Sequence, residues 1–523
     1  MKPSRFSGSI RVMSLHWRSH SEPQRAANIH LTAFVLFTST TLSVGIIMQT
    51  FMNIINGSQV ASETTFESKN PATGEALGRV PHSTPEQVSV AVTAARSAQP
   101  AWAARTDADR QAILANVADK LRDNAEYLAT WVTREQGKPL GGVGPDQIPG
   151  SRFEAWACEA WTRAPASLEL PPEVVFEDQT RRDELHRKPL GVIAAISPWN
   201  WPLMIAIWQI IPALRAGNTV VIKPSEYTSI CTLEMVRLMN EVLPLGVLNT
   251  VTGGGEVGAS LVDNPSVNKV MFTGSAATGA KITATAARHL TPTTMELGGN
   301  DPGIVLPGAD IKALAMKLFW GVFINQGQTC ASLKRLYVHE SQHDELVAEL
   351  RQLATAMPMG DGMQPGIAMG PIQNRMQFDK ISRLVERAKA DGATIVCGGS
   401  PLPGGGLFYP LTLVTDITDG APLVDEEQFG PVLPIIRYSD VEEAVIWANR
   451  GNAGLGASVW SSDIEQANDV AQRIEAGTVW INHHGIIHPM VPFGGAKRSG
   501  WGVEFGIEGL KALTRPQVIS LIK

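Results

Sequence analysis

Gly191-Val-Ile-Ala-Ala-Ile-Ser197, then residues 203–215, then Thr219-Val-Val-Ile-Lys223 are the stretch that decides the fold. The first and last pieces are short, nearly all-apolar runs of strand length, and the piece between them has the length and spacing of a helix. A strand that is apolar on both faces belongs to a sheet covered on both faces, and a parallel neighbour requires a crossover such as this helix. The same alternation continues outward. A helix is predicted over 229–243, a strand over 247–251, a short helix over 256–262, a strand over 269–272 and a helix over 276–289. The outline is a doubly wound nucleotide-binding α/β sheet. A second alternating series runs from Gly303 to about Trp480, with a strand at 335–339 and helices near 342–356 and 376–389, and predicts a second α/β domain. Before the first strand, alanine-rich segments between Thr84 and Gln136, such as 111–121, have helical spacing.

Two stretches fit neither sheet. Residues 172–188 are charged and roughly alternating, with Asp178 and Gln179 as a turn, and predict a projecting hairpin. The C-terminal Val518-Ile-Ser-Leu-Ile-Lys523 is a short apolar strand that would complete the same assembly surface. The start of the chain differs from all that follows. Lys2, Arg5, Arg11, Arg18 and Arg25 are interleaved with serines, and an apolar run without charge spans 31–52. Three readings compete for it: a membrane anchor, an organelle-targeting sequence, or an extension upstream of a start near Met48 or Met52. Each leaves it outside the fold.

The chain has 523 residues, 44% hydrophobic and 18% charged, enough for two or three domains. A net charge of -6 without a basic stripe excludes nucleic acid as an expected partner. The four cysteines, Cys158, Cys231, Cys330 and Cys397, are far apart and form no CxxC pair. Neither a disulfide framework nor a zinc site is expected, and a reducing, cytoplasmic compartment fits, with a mitochondrial or membrane-associated location as the alternative through the N-terminal extension. His483, His484 and His488 cluster without a carboxylate or cysteine in their segment, so no metal is expected there.

The loops that follow the predicted strands carry the chemistry, as open parallel sheets require. Ser197-Pro-Trp-Asn-Trp-Pro202 offers the Asn200 amide from a loop stiffened by two prolines. Lys223-Pro-Ser-Glu226 supplies a cation and a carboxylate suited to ribose hydroxyls. Phe272-Thr-Gly-Ser275 opens a helix whose amides can hold a pyrophosphate, and Gly279 lets that helix come close. Met295-Glu-Leu-Gly-Gly-Asn300 places Glu296 at a strand end. Asn325-Gln-Gly-Gln-Thr-Cys330 follows the amphipathic stretch 311–324 and ends in a thiol. A thiolate is the attacking form, and an amide-rich loop is a setting in which its pKa is lowered.

Together with Gly327-Gln-Thr-Cys330, Glu426-Glu-Gln-Phe-Gly-Pro431 and Pro492-Phe-Gly-Gly495, these segments occur in the order that makes the chain resemble the NAD(P)-dependent aldehyde dehydrogenase superfamily, from about Asn56 to the C-terminus. The resemblance implies a Rossmann-like cofactor domain (52–171 and 190–298), an α/β catalytic domain (299–513) and a small β oligomerisation element (172–189 and 514–523) after an extension at 1–51. A homodimer or homotetramer is implied. So is a reaction: Cys330 as nucleophile, Asn200 with the Cys330 N–H as oxyanion hole, and Glu296 as the base that hydrolyses the thioester. Glu296 favours hydrolysis over acyl transfer to coenzyme A. Cofactor positions implied are Ser197, Trp199, Lys223, Ser225, Glu226, Gly274, Ser275, Leu297, Gly298, Glu427 and Phe429. The Glu226 carboxylate would repel a 2'-phosphate, which favours NAD, with NADP as the alternative. Trp201, Met204, Ile205, Trp208, Thr329, Ala331, His484, Ile487 and Phe493 are implied to line the aldehyde path. They are mostly apolar, which points to an aliphatic or aromatic aldehyde. Glu504 matches a proton-relay position, but Gln209 stands where many relatives have lysine. Two rival readings remain: a membrane-anchored dehydrogenase of lipid-derived aldehydes, and a catalytically silent homologue.

Overall fold

The computed structural model describes residues 48–142 and 149–523. Its first sheet has six strands in the order Gly500–Trp501, Thr293–Leu297, Lys269–Gly274, Val192–Ile196, Thr219–Lys223 and Leu248–Thr250. The last five are mutually parallel. Val192–Ile196 lies between Thr219–Lys223 and Lys269–Gly274, so the chain order reverses at this point. The loops leaving those strands then part in opposite directions and open a crevice. Every residue of Val192–Ile196 and of Thr219–Lys223 is buried, as their composition requires. The helix Pro202–Arg215 is buried along its whole length, because the sheet covers one side of it and the helix Ser151–Ala166 packs against it. Pro202 stands at its first turn, where a missing N–H costs nothing.

The second sheet has seven strands in the order Thr394–Cys397, Thr412–Thr415, Val432–Tyr438, Leu333–His339, Asp301–Val305, Gly456–Trp460 and Thr478–Ile481. Only the first strand in that order is antiparallel to its neighbour. Alternate residues face opposite layers: Leu336 and Val338 pack with Leu318 and Phe319 of the helix Ile311–Phe323, whereas Tyr337 packs with Ile381 and Val385 of the helix Arg375–Ala390. A third, three-stranded antiparallel sheet joins Thr514–Ile522, Arg181–Pro189 and Glu173–Glu177. Its hairpin turn is set by Asp178, whose Oδ1 accepts from the N–H groups of Thr180 and Arg181 at 2.7 and 2.8 Å.

Two boundaries differ from expectation. The chain after about residue 490 does not stay with the second sheet. Gly500–Trp501 pairs antiparallel with Thr293–Leu297, and Phe493 and Phe505 join the core of the first sheet. Gly500 permits this approach, since its φ is +131° and a Cβ there would lie 1.8 Å from the Met295 carbonyl oxygen. At the other end, Phe51 falls inside the expected 1–51 extension but belongs to the fold. It meets Trp131 edge-on with centroids 5.3 Å apart, and its N–H donates to Arg79 O at 2.8 Å. The basic leading segment and residues 31–47 of the apolar run lie outside the described residues. Among the described residues no helix is long and apolar enough to cross a membrane.

Candidate active site

The loop after Val192–Ile196 is fixed from below by a buried ion pair. Lys138 Nζ and Glu154 Oε2 are 2.6 Å apart, and both side chains are almost wholly buried. Glu154 Oε1 also accepts from the N–H groups of Leu203 and Met204 at 2.9 and 3.1 Å, so it satisfies amides that the first turn of Pro202–Arg215 leaves unpaired. Lys138 Nζ donates to Asn200 O at 2.9 Å and lies 3.5 Å from the Trp201 ring centroid. Asn200 is thereby pinned, with its Nδ2 donating to Gln328 O at 3.0 Å.

Gln328 belongs to the loop that carries the thiol. The helix Ile311–Phe323 runs into a 3-10 turn, Ile324–Gly327, in which Asn325, Gln326 and Gly327 all adopt left-handed backbone with φ of 51°, 56° and 69°. Such conformations cost about 1–3 kcal/mol at a non-glycine residue and persist where surrounding contacts enforce them. Asn325 Nδ2 donates to Asn200 O at 2.9 Å, and a Cβ on Gly327 would lie 2.3 Å from Gly430 O. A turn closed by Ser332 N–H to Thr329 O then displays Cys330. Trp201 Nε1 donates to Thr329 Oγ1 at 2.9 Å, and Lys334 Nζ donates to Cys330 O and Thr329 O at 2.6 and 2.9 Å. The Asn200 and Cys330 loops are therefore bound to each other.

The electrostatics depart from the sequence expectation of an acidified thiol. Cys330 is a free, half-buried cysteine whose thiol is pushed up to about 12 by burial. Lys334 and the Ala331 amide pull it down, while Asp301 and Glu296 push it further up. Glu296 ends the strand beside Thr273 and Gly500; it is buried, and neither carboxylate oxygen has a hydrogen-bond partner. Burial, with Glu504 adding to it, raises its pKa well above the usual carboxylate range. Glu504 is itself pushed up to about 7 by burial, with Lys269 pulling it down. Lys269 is lowered to about 8 by burial, opposed by Glu504, and its Nζ donates to Ala512 O at 3.0 Å. Gln209 donates to Thr273 Oγ1 at 3.1 Å. The cation beside Glu504 thus comes from the strand Lys269–Gly274 rather than from the helix that carries Gln209.

On the crevice side, Lys223 Nζ donates to Pro224 O and Gly253 O, both at 2.8 Å, and stands 4.0 Å from Glu226. Ser225 lies between them, and Ser197 N–H donates to Lys223 O at 3.1 Å, which ties the two loops together. Ser275 caps the helix Ala276–Ala287, and its side chain accepts from Thr278 N–H. A Cβ on Gly274 would meet the Phe272 ring at 2.5 Å, and one on Gly279 would lie 2.7 Å from a Leu297 methyl. Gly298 faces Glu427, with Oε2 only 2.3 Å from where its Cβ would stand. Glu427 accepts from Gly299 N–H at 3.2 Å and lies 3.3 Å from Lys334 Nζ. Trp199 meets Phe429 edge-on with centroids 5.4 Å apart. A cavity of about 640 Å³ is lined by Ser275, Gly298, Gly299 and Glu427. A helix N-terminus, a side-chain-free glycine floor and a carboxylate at the far wall fit a dinucleotide.

On the other side of Cys330, Trp201, Met204, Ile205 and Trp208 come from the first two turns of Pro202–Arg215, next to Thr329 and Ala331. Trp208 lies 4.9 Å from both Trp161 and Phe505, and Phe505 stacks on Phe493 at 5.9 Å. Ile487 packs against the same core. His484 lies 4.9 Å from the Trp480 ring, which belongs to the same core. It is buried in the second sheet, with Nδ1 2.9 Å from Ser458 Oγ. Sequence reading missed Trp161, Phe505, Lys138, Glu154 and Lys334. Their signal was slight: two aromatics at helical or loop positions, and charges with other charges or polar residues close by in the chain, which nothing in the sequence singles out.

Residues 59–519 match the aldehyde dehydrogenase family. The chain is 38% identical over 472 residues to the phenylacetaldehyde dehydrogenase of Pseudomonas fluorescens, covering 87% of this chain and 92% of that protein. It is 39% identical over 457 residues to a chloroplastic aminoaldehyde dehydrogenase of Arabidopsis thaliana, covering 84% and 89%. The NAD+ complex of an aldehyde dehydrogenase from Bacillus cereus superposes with a TM-score of 0.87 at 34% identity, over 91% of this chain and 97% of that one.

Proposed function

Because the chain belongs to the aldehyde dehydrogenase family, we propose that it oxidises an apolar aliphatic or aromatic aldehyde to the carboxylic acid with NAD, through a thioester on Cys330. The observation that carries this reading is the lacing of the Asn200 and Cys330 loops through Asn200 Nδ2 to Gln328 O at 3.0 Å and Trp201 Nε1 to Thr329 Oγ1 at 2.9 Å. It ties the loop that carries the Asn200 amide to the loop that carries the thiol. The cofactor would be held by Ser197, Trp199, Lys223, Ser225, Glu226, Gly274, Ser275, Leu297, Gly298, Glu427 and Phe429, and supplies the hydride acceptor. The Glu226 carboxylate disfavours a 2'-phosphate, which favours NAD over NADP.

The remaining steps belong to this chain's own residues. Cys330 gives its proton to solvent water, its sulfur adds to the aldehyde carbon, and the Asn200 side chain with the Cys330 N–H stabilises the oxyanion that forms. Loss of hydride leaves a thioester. Glu296, in its deprotonated form, takes a proton from water, the resulting hydroxide attacks the acyl carbon, and the carboxylic acid leaves as Cys330 departs. Two oxygens without hydrogen-bond partners suit Glu296 to that role, since nothing competes with a water for them. The apolar lining of Trp201, Met204, Trp208, Phe493 and Ile487 supports an uncharged substrate. The third sheet, with its exposed apolar side chains, supports assembly with further copies of the chain as a dimer or tetramer.

An aldehyde panel assayed by NADH formation, spanning aryl, alkyl and amino aldehydes with NAD and NADP in parallel, tests substrate and cofactor. Cys330→Ala is expected to abolish turnover. Glu296→Gln is expected to accumulate an acyl adduct on Cys330 in acid-quenched protein analysed by mass spectrometry. Full steady-state activity of Cys330→Ala would overturn the mechanism.

A further inference from the structure

Behind the Cys330 turn lies a polar cluster to which the reaction above assigns no task. Asp301 opens the strand Asp301–Val305; its side chain is wholly buried, and neither oxygen has a hydrogen-bond partner. Buried polar groups are nearly always paired, so an unpaired carboxylate asks for an explanation. It lies close to the backbone of the turn that carries the nucleophile. A Cβ on Gly299 would stand 2.3 Å from Asp301 Oδ1 and 3.1 Å from Cys330 O, so carboxylate and turn face one point.

His484, also wholly buried, presents Nε2 at 3.6 Å from Asp301 Oδ2. Its Nδ1 lies 2.9 Å from Ser458 Oγ, and that oxygen accepts from Trp460 Nε1 at 2.8 Å. An indole N–H can only donate. Directing the Ser458 hydroxyl hydrogen at Nδ1 satisfies both groups. The opposite tautomer would leave that hydrogen without an acceptor and set an imidazole lone pair against the carboxylate. His484 is thus fixed with its proton on Nε2, aimed at Asp301.

We propose that Asp301 and His484 form a positioning pair behind the nucleophile: Ser458 sets the His484 tautomer, the His484 N–H faces the Asp301 carboxylate beside the Cys330 turn, and that negative charge keeps the resting thiol protonated. The other charged and titratable groups around the turn are accounted for. Lys334 grips Cys330 O and lies 3.3 Å from Glu427, and Glu296 approaches from the first sheet. His483 adjoins His484 in the chain and is influenced by Lys317. Burial keeps His484 neutral by lowering its pKa, with Asp301 opposing. In the same direction as the proposal, Asp301 pushes the Cys330 thiol up against the pull of Lys334. A protonated thiol is slow to react with oxidants, so the pair guards the cysteine between turnovers.

The inference rests on Cys330 being the nucleophile, and its test reads ionisation without turnover. Cys330 alkylation by iodoacetamide is followed from pH 6 to 10 by peptide mass mapping, which separates it from Cys158, Cys231 and Cys397. Asp301→Asn is expected to shift the alkylation profile to lower pH and to raise the rate at pH 7.5 by about tenfold, the change that accompanies one unit of pKa. His484→Gln, which keeps an N–H donor, is expected to stay near the parent profile, and His484→Leu to depart from it. An unchanged profile in Asp301→Asn, with the circular dichroism of the parent, overturns the pair's role and leaves the Cys330→Ala test of the mechanism untouched. If Asp301→Asn does not fold, an unchanged profile in His484→Leu overturns it equally.

Discussion

Glu296 can act as a base only when it has lost its proton, and its surroundings oppose that loss. Burial and Glu504 both raise its pKa, so turnover is expected to fall with decreasing pH at a higher pH than an ordinary carboxylate base would give. Glu504→Gln removes one cause and should move the acid limb of kcat to lower pH, measured as a kcat profile from pH 5.5 to 9.5. Stability should respond in the opposite sense. The Glu504 carboxyl is raised to about 7 in the folded chain from an ordinary value of 4.5, so its contribution is complete below the lower value and is lost as pH rises through the higher one. Glu504→Gln is therefore expected to gain stability relative to the parent above pH 7 and not at pH 4.5, read as unfolding midpoints. At this scale Cys330, Asn200 and Glu296 stood out in the sequence because each sits in a recognisable pattern, Asn200 and Cys330 in loops and Glu296 near a strand end. Lys269, Asp301 and Lys334 were not, because one charge in an apolar strand says nothing of its neighbour across space. The partners of His484, Ser458 and Asp301, were not legible either, since sequence does not show which way a loop histidine turns.

Between elements, the Lys138–Glu154 pair connects the segment after the helix Ala125–Gln136, the helix Ser151–Ala166 and the start of Pro202–Arg215. Lys138→Met leaves Glu154 charged and buried alone, which costs about 3–5 kcal/mol in comparable pairs. That loss is expected in urea unfolding, with a fall in kcat because Asn200 loses the donor that anchors its carbonyl. The strands and helices that build both sheets were legible, since apolar runs bounded by glycine, proline and polar residues are long enough to carry a period. The helix predicted over 203–215 is observed at Pro202–Arg215, and the one predicted over 376–389 at Arg375–Ala390. Elements of two or three residues, such as Gly500–Trp501 and Asn53–Ile55, carry no period and were not visible.

For the whole molecule, the third sheet leaves Val174, Val175, Phe176, Val518, Leu521 and Ile522 exposed, and one chain cannot cover them. Removing residues 514–523 takes away the strand that pairs with Arg181–Pro189 along its full length. The truncated chain is expected to run as a smaller species in light scattering and to lose thermal stability. The expected boundary at the end of the second domain failed for a related reason: the path of residues 490–513 is set by a glycine contact and two phenylalanines that find the other core, and neither has a pattern in one dimension. That return has a further consequence. Without Gly500–Trp501, the strand Thr293–Leu297 would be the bare outer edge of a parallel sheet, a template on which a second molecule's strand could grow. Two residues from the end of the chain shield that edge, and the exposed Trp501 indole, tied to Thr293 Oγ1 at 3.0 Å, reports by its fluorescence whether the shield is in place before aggregation begins.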